Sequence, residues 1–124
     1  SAGAPTPAPV ETGWSAREGY ALGVQLVREG LPPAVFAAND QLALGLLHAL
    51  REHGVRVPDD VALVGFDDEP GAAHYAPPLT TVRQDFAGLG AAAMQYLAEA
   101  LDGSPTPRRE LTAELVVRAS STRA

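Results

Sequence analysis

Two short apolar runs, residues 34–38 (AVFAA) and 61–66 (VALVGF), each follow a segment patterned as a helix. Strands that carry no polar alternation are covered on both faces, which is the habit of parallel sheets between helices. Helix, strand, helix, strand over residues 15–66 therefore predicts an α/β fold: a Rossmann-like parallel sheet flanked by helices.

The first helix is expected over 15–28. Ser15 caps it, and Glu18 three residues later completes a capping-box pattern. Tyr20, Val24 and Val27 recur at helical spacing and form its expected apolar face. Gly30 and the pair Pro32-Pro33 stop it. A short strand is expected at 10–12. The second helix runs over 40–53 and ends at Gly54. At about 100° per residue, Leu42, Ala43, Leu46, Leu47, Ala49 and Leu50 fill one arc. Leu44 falls outside that arc, among Gln41, His48 and Arg51. Such a leucine is either an ordinary exposed apolar residue or a subunit contact. Pro58-Asp59-Asp60 turns the chain into the second strand. A loop follows over 67–78, then a β-rich stretch over 79–83 with no obvious parallel partner after it. A third helix covers 86–101, with Phe86, Gly90, Ala93, Leu97 and Leu101 on one face. A final strand is expected within 111–118. Residues 1–9, rich in Ala and Pro, read as a lead-in.

Composition narrows the function. The chain has 124 residues, a formal net charge of -6 and only nine basic side chains. All nine are arginines and they are scattered, so direct duplex binding is not expected of this chain. With no cysteine, disulfides, thiolate metal sites and Cys nucleophiles are excluded. No apolar run approaches the roughly 20 residues of a membrane span, and residues 1–9 carry no signal-peptide pattern. A cytoplasmic location and no membrane contact are the expectations.

In open α/β sheets, ligands bind beyond the C-terminal ends of the strands. The first strand delivers Asn39-Asp40 there and the second delivers Asp67-Asp68-Glu69. Consecutive strands are usually neighbours, so an amide and several carboxylates share one rim. That set suits a polyhydroxylated ligand. Plainer readings stand beside it: Asn39 or Asp40 caps the second helix, and Asp67 or Asp68 shapes the turn. Trp14 sits just before the first helix and Phe86 begins the third, positions where an aromatic ring either stacks on a ligand at the cleft or packs. A Mg²⁺-dependent hydrolase or phosphotransferase built on 67–69 lacks a lysine and a paired base. His48 and His53 lie five apart on one helix, a poor ligand spacing, and His74 lies in a loop. Gly88 and Gly90 sit inside a helical pattern rather than in a phosphate-binding loop. No catalytic residue, metal or cofactor is expected.

Residues 34–68 (AVFAANDQLALGLLHALREHGVRVPDDVALVGFDD) closely resemble the signature of the LacI/GalR repressor family. Residues 77–90 (PPLTTVRQDFAGLG) and 114–121 (ELVVRASS) continue the pattern, and the likeness covers about 13–121. The resemblance implies part of a periplasmic-binding-protein-like sensor, with two lobes and an effector between them, commonly a sugar, sugar derivative or nucleobase. It implies effector contacts from Asn39 and Asp67, with Trp14 and Phe86 stacking on the effector or walling the cleft. Gln84 falls at the crossing between lobes, and Leu44 and Tyr75 fall at positions of the dimer interface. Residues 10–85 then belong to the C-terminal lobe, 86–108 to a helix and connection of the N-terminal lobe, and 109–124 to a final strand and tail. Against the family pattern the chain lacks the helix-turn-helix, most of the N-terminal lobe, and the first strand and helix of the C-terminal lobe. Operator DNA would be reached only through that absent N-terminal domain. Exposed apolar faces are expected to drive a homodimer or higher oligomer, with exchange of the helix at 86–102 as one route. The competing reading is a transport-type sugar-binding protein of related fold.

Overall fold

A computed structural model describes residues 7–104 and 110–122. Its elements run α1 (Ala16–Glu29), β1 (Ala34–Phe36), α2 (Asp40–Glu52), β2 (Ala62–Val64), a 3₁₀ turn (Ala72–His74), β3 (Thr81–Arg83), α3 (Phe86–Leu101) and β4 (Glu114–Val116). Residues 7–13 form no strand, against the expectation at 10–12, and the rest of the lead-in, 1–6, lies outside the described residues.

β1 and β2 pair in parallel, Ala34 with Ala62 through Phe36 with Val64. β3 and β4 pair antiparallel. The stretch at 79–83 pairs in parallel with the chain that precedes it in sequence: bridges join Val64 to Thr80 and Asp67 to Arg83. The chain beyond β2 thus runs alongside β3, with Gly65 N–H on Thr80 O and Asp67 N–H on Val82 O, both at 2.9 Å. Ahead of that junction, buried Ser120 fills the gap. It gives its hydroxyl to Leu63 O at 2.7 Å and accepts Thr80 N–H at 2.8 Å.

α2 is the centre of the fold. Leu42, Ala43, Leu46 and Leu47 join Ala37, Leu63, Ala72 and Leu79 in the main core. The arc read from periodicity is buried, while Leu44, His48 and Arg51 are exposed. α1 departs from its expected face. Gly19 and Gly23 are its buried residues, and Leu22 and Leu26 pack on the core. Tyr20, Val24 and Val27 are only half-buried. Glycines win here because the two helices meet backbone to backbone: Gly19 lies against the Leu42 carbonyl, and Gly45 against the Ala16 carbonyl and Tyr20 N. Both helix starts are capped as patterned, with the Ser15–Glu18 box complete.

β1 is not covered on both faces, as a fully buried strand would be. Ala34 and Phe36, which share one face of the strand, are exposed, so that face has no covering layer among the described residues, and β2 is the only hydrogen-bonded neighbour of β1 among them. α3 buries no residue. Its expected apolar face stands in solvent: Phe86, Leu97 and Leu101 are exposed, as are Leu89 and Met94.

Candidate functional site

The parallel register sets the site. Residue 34 pairs with 62, an offset of 28, and the same offset carried past the strand ends puts position 39 level with 67. Asn39 and Asp67 thus leave neighbouring strand tips on one rim. Each is tied to its own surroundings. Asn39 is the N-cap of α2, its Oδ1 accepting Leu42 N–H at 2.7 Å. Its Nδ2 donates to Trp14 O at 3.0 Å, which fixes the segment ahead of α1 beside the rim. Trp14 itself is 68% exposed. Asp67 Oδ1 accepts from Gln84 Nε2 at 2.8 Å. Gln84 stands between β3 and α3, two residues before the exposed Phe86. The predicted positions therefore gather as two pairs on adjacent tips, Trp14 with Asn39 and Gln84 with Asp67.

Asp40 is not the cap that one reading allowed. It is completely buried. Its Oδ1 accepts the Thr81 hydroxyl at 2.6 Å and its Oδ2 accepts Glu69 N–H at 2.8 Å. The swap has a geometric reason: in the extended N-cap position only the Asn39 side chain can turn back to Leu42 N–H. Burial raises the Asp40 pKa, and the two hydrogen bonds oppose the rise only in part.

The three successive carboxylates separate onto three partners. Asp67 meets Gln84. Asp68 is gripped by Arg83 Nε on Oδ2 and Arg118 Nη2 on Oδ1, both at 2.7 Å. Burial pushes the Asp68 pKa up, but the hydrogen bonds and charges of Arg118 and Arg83 outweigh it and hold the carboxylate below its ordinary value. Glu69 Oε2 accepts Gln41 Nε2 at 2.6 Å and the Tyr75 hydroxyl at 3.5 Å. Carboxylates divided in this way do not converge on a cation, and among the described residues no three His, Asp or Glu side chains do.

The second predicted surface lies on the outer side of α2. Leu44 lines an open groove of about 580 Å³ with Ala16, Tyr20, His48, Arg51 and Ala76. Tyr75, adjacent in sequence to Ala76, turns inward and packs on the core. Its pKa is pushed up to about 12 by burial and by the negative charge of Glu69. Across the groove, Tyr20 donates to Glu52 at 2.6 Å and stacks obliquely with His48, ring centroids 5.3 Å apart.

Sequence reasoning passed over Arg118, Arg83, Ser120 and the buried role of Asp40. The one available signal was Arg118 itself, a long cation placed directly after the apolar run at 115–117.

The periplasmic binding protein-like domain family matches residues 2–121. The chain is 38% identical to the lactose operon repressor of Escherichia coli K12 over 113 residues, 90% of this chain and 31% of that repressor. It is 48% identical to the transcriptional regulator MalR of Streptomyces coelicolor over 90 residues, 71% of this chain and 26% of MalR. The chain thus spans about a third or less of the length of these curated relatives. Among solved structures, a lac repressor dimer bound to operator and the anti-inducer ONPF superposes with a TM-score of 0.83 at 38% identity, covering 89% of this chain and 39% of that one. A LacI family regulator from Lactobacillus casei with bound sucrose gives 0.75 at 37% identity, covering 87% and 41%.

Proposed function

Because the chain belongs to the periplasmic binding protein-like domain family and its relatives are LacI-type repressors, we propose that it is the effector-binding and dimerisation part of such a repressor. In this reading it senses an uncharged, polyhydroxylated metabolite of the sugar class. The observation that carries the reading is the placement of Asn39 and Asp67 on adjacent strand tips, Asn39 bonded to the backbone of exposed Trp14 and Asp67 to Gln84, two residues before exposed Phe86. An amide and a carboxylate exchange hydrogen bonds with hydroxyl groups, and flat aromatic faces cover the apolar face of a sugar ring. The Lactobacillus casei regulator, with structures holding sucrose and glucose, supports the sugar class.

Residues 10–85 form the C-terminal lobe in this reading, and 86–108 belong with the other lobe, of which 105–108 lie outside the described residues. The support is α3: a 16-residue helix of high apolar content with nothing buried calls for a partner surface outside this chain. The net charge of -6 favours contact with operator DNA through a separate domain. No helix among the described residues is long and apolar enough to cross a membrane, and the repressor reading places the protein in the cytoplasm. It needs no catalytic group and no cofactor. The effector would act by binding one lobe arrangement more tightly than the other. Transport-type binding is the weaker alternative, because the lactose operon repressor and MalR are regulators.

Calorimetric titration of the full-length protein with neutral mono- and disaccharides, glucose and sucrose among them, tests this reading. Saturable binding of a neutral sugar is expected. Binding of charged metabolites alone would contradict it.

Dimerisation is assigned to the groove beside Leu44. Leu44→Glu in the full-length protein places a charge at an apolar contact without touching the core, since Leu44 is 36% exposed. The dimer dissociation constant is expected to rise by about a hundredfold or more, the cost of desolvating an unpaired charge, read by light scattering across a dilution series. An unchanged mass would reject the assignment.

A further inference from the structure

We infer that Asp68 and Arg118 are positioning residues for effector recognition: together they fix the backbone from which Asp67 is presented. The inference rests on the reading of Asp67 as an effector contact.

Asp67 and Asp68 are the two non-glycine residues with positive φ among the described residues, at 113° and 54°. L side chains occupy this region only where the surroundings over-determine it. Here the Asp67 N–H is held by Val82 O at 2.9 Å, and the Asp68 N–H by Thr81 Oγ1 at 3.3 Å. The decisive restraint is the Asp68 carboxylate. Both its oxygens are taken by guanidinium groups, and its side chain is only 9% exposed. Nearly buried between two guanidinium groups, it serves to hold the backbone.

The two arginines differ in environment. The side chain of Arg83 is 50% exposed and that of Arg118 only 17%, so solvent weakens the Arg83 pair more. Arg118 is also anchored at three further points. Its Nη1 donates to Leu79 O at 2.8 Å. Its own N–H donates to Thr80 Oγ1 at 2.8 Å, and its carbonyl accepts the Thr80 hydroxyl at 2.9 Å. A residue beyond β4 thus reaches under the tip of β2, fifty positions away, and clamps it. With the clamp in place, Asp67 directs Oδ1 to Gln84, and no described residue donates to its Oδ2. Without it, only the solvent-weakened Arg83 pair and the two backbone N–H bonds to β3 would oppose relaxation, and the chain is expected to relax to negative φ, carrying the Asp67 carboxylate off the rim.

Crystal structures of the full-length protein and of Arg118→Met and Arg118→Lys test this directly. In Arg118→Met, Asp67 is expected to leave positive φ and lose its bond to Gln84, whereas Arg118→Lys, which keeps the charge, is expected to retain both. Titration with glucose and sucrose should show the sugar that binds the native protein weakened about tenfold in Arg118→Met, the loss of one charge-assisted hydrogen bond, with most of the affinity recovered in Arg118→Lys. Should Arg118→Met fail to fold, Asp68→Asn removes the charge at nearly constant shape and answers the same question. An Asp67 that keeps its backbone and its Gln84 bond in the neutral variant overturns the inference, as does an affinity that follows only the melting temperature. If no neutral sugar binds the native protein, the effector reading falls, while the structures still decide whether the clamp sets Asp67.

Discussion

Gly45→Ala is expected to destabilise the protein, although alanine is the better helix former. Propensity alone favours the substitution by about 1 kcal/mol in a helix interior. Packing decides otherwise. A Cβ at position 45 falls on the Ala16 carbonyl oxygen and crowds Tyr20 N, both backbone atoms of α1. No rotamer change relieves an overlap with backbone, so the helices must separate. Separation opens contacts all along the seam, where Gly19 faces Leu42 and Gly23 faces Ala49. The net loss should be about 2 kcal/mol for Ala and about 3 kcal/mol for Val, the range of overpacked interiors. Urea unfolding of the full-length variants checks the sign. A gain in stability for Gly45→Ala would mean that α1 and α2 lie farther apart than described.

Asp40→Ala is the second large effect, and it has a pH signature. Removing the carboxylate strands a buried hydroxyl on Thr81 and the Glu69 N–H, at a cost of about 2 kcal/mol. The folded pKa of Asp40 is raised by burial. Protonation therefore favours the folded state, and the stability tied to this group is fully present below the unfolded value of 3.8 and declines as pH rises through the folded pKa. The advantage of Asp40 over alanine should be greatest in acid and shrink from about pH 4 upward. Unfolding curves of both proteins across pH 3 to 7 read this difference. An advantage that grows with pH would reverse the assignment.

These two residues also mark where the sequence was legible and where it was not. Period and capping gave α2 correctly, because a helix that buries one broad face leaves a broad apolar arc, with one outlier, Leu44, on its exposed side. The same counting misread α1. Its contact face is made of Gly19 and Gly23, and a small residue that permits close approach carries no hydrophobic signal. Asn39 and Asp40 are chemically alike as caps, and nothing short of the fold decides which one turns back to the helix. The rim itself was legible, since the positions after two parallel strands are set by register. Its support was not: Arg118 comes from a segment fifty residues away, and only the pairing of β3 with β4 brings it beneath Asp68. β1 was expected to be enclosed and is an edge, because periodicity reports what a strand can bury and says nothing of which neighbours this chain supplies.

The central claim is that the tips of β1 and β2 hold the effector jointly. A crystal structure of the full-length protein with its bound sugar tests it most directly. Sugar hydroxyls are expected within hydrogen-bond distance of both Asn39 and Asp67, with Trp14 or Phe86 against the ring. A sugar seated elsewhere, touching neither residue, would contradict it.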